Sequence, residues 1–143
     1  MSTRRFFNLA VWLLGFVLVA GLGTAVSQQA APTETKGVTI TPLQNAIDLG
    51  PEIEGAKGRV FRMRLVTWAP GGVFGLHSHK DPATRPGFFY VLSGTLISYM
   101  SGVAKEYRPG DSWSENKETT HHWVENQGTI PAVGIAVDIF KQQ

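Results

Sequence analysis

The chain has 143 residues, of which 43% are hydrophobic and 17% charged, with 16 glycines and no cysteine. That length suits one domain with its own core, and the lack of cysteine excludes disulfides and thiolate metal sites. The net charge of +2 comes from Arg4 and Arg5; of the 13 Lys and Arg, the 11 others balance the 11 Asp and Glu, which leaves no basic patch and excludes nucleic acid as an expected partner.

Residues 1–27 read as a targeting segment outside the fold. Arg4 and Arg5 form a charged start, residues 9–26 an uncharged and largely apolar run, and Ala25, Val26 and Ser27 a small-residue cleavage site. The run from Thr3 to Phe7 also resembles the twin-arginine export motif of bacteria, with Asn8 departing from the usual leucine. The expectation is therefore an exported protein, periplasmic or extracellular. Left uncleaved, this signal helix would be a membrane anchor, since about 18 apolar residues is the least that spans a bilayer. Residues 28–37 are polar, contain Pro32 and lack periodicity, and read as a flexible spacer.

The folded domain is expected over residues 38–143. Residues 38–43 and 46–49 are short strand candidates, followed by a loop holding Gly55 and Gly58. Residues 59–68 alternate cleanly: Phe61, Met63 and Leu65 fall on one face and Arg62 and Arg64 on the other, which predicts a strand with the apolar face buried. Residues 69–72 read as a turn. The run 73–79 follows, with His77 and His79 at its end. Beyond it come strand candidates at 88–92, 95–100, 104–107, 112–114, 121–124 and 132–140, separated by turns. Turn signals every eight to twelve residues, with no helical periodicity after residue 27, indicate an all-β sandwich or barrel.

Two histidine clusters carry the chemistry. Residues i and i+2 of a strand share a face, so His77 and His79 project side by side at a spacing that suits one metal ion. The second cluster, His121-His122-Trp123-Val124-Glu125-Asn126, can turn only one histidine inward. With His122 inside, Val124 and Asn126 share its face; the opposite choice buries Trp123 together with Glu125. Pattern alone leaves both registers open.

The stretch from Gly71 to Asn126 resembles the two sequence motifs of the cupin superfamily. The first has the form G-(x)5-H-x-H-(x)3–4-E-(x)6-G, on which Gly71, His77, His79 and Gly94 fall. The second ends in H-(x)3-N, matched by His122 and Asn126, with Gly110 near its beginning. Its P-x-G element is absent, Lys117 and Thr119 standing about there. The resemblance implies a double-stranded β-helix (a jelly-roll barrel) and places His122 inward beside His77 and His79. The glutamate of the first motif is missing: seven residues before Gly94 stands Gly87. Asp81 and Glu115 are the nearest replacement carboxylates.

Three neutral imidazoles still suit a divalent ion, with iron the first expectation and manganese, nickel, copper or zinc the others. Without a carboxylate ligand the ion keeps its full charge. That favours a small anionic or dicarbonyl-like substrate, and dioxygenase-like chemistry is the first expectation. The alternative from a different class is a non-catalytic module that binds a small ligand in the barrel. Arg85, in the loop after the histidine strand, is placed to meet a substrate carboxylate. Alternation from Gly87 points Phe89 and Val91 inward and Tyr90 outward, and Asn126 is expected to bond backbone at a turn. The outward face is expected to carry Phe74, Leu76, Phe88, Tyr90 and Leu92, an apolar area to be covered either by the N-terminal strands or by a second copy in a homodimer.

Overall fold

A computed structural model describes residues 30–79, 86–116, 119 and 121–142. The expected signal helix therefore lies outside the described residues, as do Asp81 and Arg85. All the regular structure described is strand: β1 (Lys36–Pro42), β2 (Ile47–Asp48), β3 (Arg59–His77), β4 (Gly87–Ser93), β5 (Leu96–Met100), β6 (Val103–Tyr107), β7 (Ser112–Glu115), β8 (His122–Glu125) and β9 (Ala132–Lys141). They form one sheet in the order β6-β5-β8-β3-β9-β4-β7, with β1 and β2 also paired to β3. The result is a nearly closed barrel of the jelly-roll kind.

The 19-residue β3 organises the barrel. Its first half pairs with β9 over ten residues, from Arg59 opposite Lys141 to Trp68 opposite Ala132, and its second half pairs with β8. Residues 69–72, expected to be a turn, instead carry the strand round a corner from one side of the barrel to the other. Gly71 takes φ +71° there, a left-handed value that glycine adopts without strain. Asn126 fixes this corner. Its Nδ2 donates to the carbonyls of Trp68, Ala69 and Ile130, and its Oδ1 accepts from the Gly128 N–H. The structural role expected of Asn126 is the one it has. The segment expected to be a spacer also reaches the barrel: the Leu76 N–H donates to Pro32 O, the Gly75 N–H to Thr35 Oγ1, and Lys36 pairs with Val73.

Which way β3 faces is reversed from the expectation. Val60, Val66 and Trp68 are buried, so Arg62 and Arg64 lie on the inward face, while Phe61, Met63 and Leu65 are only half-buried on the outer one. The physical reason is a buried counter-ion. Asp138 on β9, 4% exposed, accepts from Arg62 Nε at 2.6 Å and from Arg64 Nη2. Charge inside a barrel is tolerated when it is paired and hydrogen-bonded in this way.

Phe74 is a second reversal. It lines the interior instead of the outer face. Phe74 lies opposite Val124 and His77 opposite His122, so three residues of β3 span two of β8, and this bulge breaks strict alternation.

Inward-facing side chains of β9 are small. Buried Ala132, Gly134, Ala136 and Asp138 alternate with Val133, Ile135, Val137 and Ile139, which are half-buried on the outside. At Gly134 the ring of Phe89 occupies the space of a side chain: an added Cβ would lie 2.2 Å from its Cε1. Phe89 in turn packs edge-on against Trp68 and stacks on Trp113, with ring centroids 5.5 and 4.4 Å away. Such aromatic pairs add about 0.5–1.5 kcal/mol each beyond area burial. Bulk concentrated in these rings, against small residues on β9, leaves open space inside the barrel.

Candidate metal centre

That space is a cavity of about 240 Å³. Trp68, Phe74, Phe89 and Trp113 wall one part, and His77, His79, His122, Glu115, Arg64 and Asp138 line the rest. It falls below the roughly 300–1,000 Å³ of pockets that take drug-sized ligands, so it suits a small molecule.

Two strand ends bring the histidines together. His77 closes β3, His79 follows two residues later, and His122 opens β8 directly opposite His77. One ring nitrogen from each lies within 4.8 Å of the other two. His77 Nδ1 is 2.8 Å from the Gly75 carbonyl, which can only accept, so Nδ1 carries the proton and Nε2 keeps its lone pair. Backbone bonding of this kind orients many metal-ligating imidazoles. His79 is held by its backbone N–H, which donates to Thr119 O. Between the second strand's two histidines the structure is decisive: His122 is 1% exposed and faces the cavity, whereas His121 is exposed. Trp123, on the side of His121, is buried by stacking on Tyr99 at 3.7 Å with a 6° interplanar angle.

The donor set fits a divalent ion. His79 Nε2 and His122 Nε2 are 3.0 Å apart. Two nitrogens each about 2.1 Å from one ion lie about 3.0 to 3.4 Å apart for angles from about 90° to tetrahedral, so this pair can share one ion. Electrostatics agree with a ligand role. Burial, then the neighbouring His77 and His79, hold His122 down to a pKa of about 3, so its ring stays neutral and able to donate a lone pair. Its Nδ1 has no hydrogen-bond partner among the described residues, unlike that of His77.

Residues that sequence reasoning missed are Arg64, Asp138 and the role of Trp113. The signal for the first two was present, as a lone aspartate in the apolar run of β9 and two arginines in that of β3. Glu115, one of the two replacement carboxylates, is at the site; its Oε2 lies 3.4 Å from His79 Nε2 and its Oε1 3.9 Å from His122 Nε2. Burial raises its pKa, opposed by a hydrogen bond from Trp113 and by His77.

The model of the cupin domain family matches residues 64–138 of this chain. Known structures of similar fold include a cupin domain of an XRE-family transcriptional regulator from Enterobacter cloacae, at 18% identity and TM-score 0.54 over 72% of this chain and 96% of that one. KdgF from a Halomonas species aligns at 15% identity and TM-score 0.56 over 77% and 87%. The polyketide cyclase RemF from Streptomyces resistomycificus aligns at 17% identity and TM-score 0.55 over 77% and 74%. At these identities the likeness is one of fold. No curated protein matches the chain.

Proposed function

The chain belongs to the cupin domain family, and from that premise we propose that it is an exported protein holding one divalent metal ion, iron first, through His77, His79 and His122. The observation that carries this reading is the convergence of three ring nitrogens within 4.8 Å at the wall of a cavity. A bound ion supplies Lewis-acid or redox chemistry there. The chain's own groups select what reaches it. Arg64 is the arginine among the described residues that lines the cavity, and it shares the Asp138 carboxylate with Arg62. Its guanidinium, with the ion's charge, favours a small anionic or dicarbonyl-like substrate, with its hydrocarbon part against Trp68, Phe74 and Phe89. Dioxygenase-like turnover is the first activity to seek, with Arg64 facing the substrate.

A second copy of the chain is the partner we propose for the outer face. Register makes that face continuous: Phe88 lies beside Val137 and Val137 beside Met63, while Tyr90 lies beside Ile135 and Ile135 beside Leu65. Phe88, Tyr90 and Leu92 are 65%, 45% and 44% exposed and extend that apolar face to solvent, the kind of patch that marks an interaction surface.

The test is metal content of protein recovered from its own compartment, followed by oxygen uptake on adding candidate substrates. His122→Ala is expected to lose the metal and His121→Ala to keep it. Metal retained in His122→Ala overturns the assignment. A metal-free barrel that still binds small ligands establishes the binding module instead.

A further inference from the structure

At Gly87, the position from which a cupin glutamate would reach the metal, no side chain can stand. A Cβ built there would lie 2.2 Å from Val137 O and 2.8 Å from Asp138 Cβ, because β4 runs hard against β9. A carboxylate comes instead from the neighbouring strand. β4 and β7 are antiparallel with Gly87 directly opposite Glu115, and directly opposed residues share a face. The Glu115 side chain therefore enters the cavity beside Gly87.

We propose that Glu115 is the fourth protein ligand of the metal, through Oε2, a carboxylate moved across the β4–β7 ladder. The inference rests on the three-histidine reading above. Its orientation is built in: Trp113, two residues earlier on the same face, donates its indole Nε1–H to Oε1 at 3.1 Å. That bond turns Oε2 toward His79 Nε2, 3.4 Å away. The Glu115 side chain is only 14% exposed, so water does not compete strongly for it. Asp138, the other carboxylate lining the cavity, is already bonded by Arg62 and Arg64. Trp113 thus acts as a positioning residue that holds the carboxylate, and Glu115 offsets one unit of the ion's charge.

Cobalt(II) titration of the metal-stripped protein tests this, read by competition with a chelator and by the visible absorption of the bound ion. Glu115→Gln is expected to weaken cobalt binding by about tenfold or more and to shift the absorption, since a carboxylate donor is lost. Trp113→Phe is expected to weaken binding less and to leave the absorption near that of the wild type, since the donor set is intact. Thermal unfolding of each stripped variant checks that the barrel is retained. A Glu115→Gln protein with unchanged affinity and absorption overturns this inference and leaves the histidine site standing. Wild-type protein that takes up no cobalt overturns the histidine reading itself.

Discussion

Replacing Gly87 by alanine is a sharp test of the barrel's interior. Relative to related sequences the substitution looks harmless, or even restorative if the larger glutamate is used. The structure says otherwise. Non-bonded heavy atoms settle about 3.5 Å apart, whereas the new methyl would sit 2.2 Å from Val137 O, a backbone atom that no rotamer change can move. β4 and β9 would have to part by more than about 1 Å. Overpacking of this kind costs about 1–3 kcal/mol, and each ladder hydrogen bond lost in the parting adds about 1 kcal/mol. With one such bond lost the sum is about 2–4 kcal/mol. For a domain of this size that lowers the melting temperature by at least about 8 °C. Urea unfolding of the mature chain, followed by dichroism, gives the number directly. An unfolding free energy within about 0.5 kcal/mol of wild type would refute the close approach of β4 to β9, and with it the reason for a relocated carboxylate. Gly87→Glu should show the same loss, with no gain in metal affinity.

Two further outcomes follow from the same geometry. His122 titrates near 6.5 in the unfolded chain but only near 3 in the metal-free fold. The unfolded state therefore binds the proton first, and stability falls as pH drops from about 6.5 toward 3, by up to about 1.4 kcal/mol per unit and on the order of 4 kcal/mol in all. Glu115, with its pKa raised, works in the opposite sense, so the difference between wild type and His122→Asn isolates the histidine; equal slopes would show that His122 is not buried neutral. For the outer face, Phe88→Glu should turn a dimer into a folded monomer by sedimentation, and a wild-type protein already monomeric at high concentration would remove the proposed partner.

Much of the strand map was legible in the sequence because strand periodicity and turn chemistry are local. The inward and outward sides of Phe89, Val91 and Tyr90, and the strands flanking the histidines, follow from alternation within one segment. His77 and His79 also come together, but His79 lies past the end of β3, held by its N–H to Thr119 O, and not by strand alternation. What local pattern left open was settled by contacts between distant segments. His121 and His122 are equal candidates until β8 is laid against β3, where His122 comes opposite His77. Arg62 and Arg64 look like a solvent face until Asp138, 76 and 74 residues away, is brought to them as a counter-ion. Phe74 looks outward until a bulge shifts its register. The missing glutamate at Gly87 looks like a lost ligand until the β4–β7 ladder sets Glu115 beside it. In each case the sequence fixes which side chains alternate, but the sign of that alternation, and which charges can be paired inside, depend on the neighbouring strand, and only the tertiary fold brings that neighbour into place.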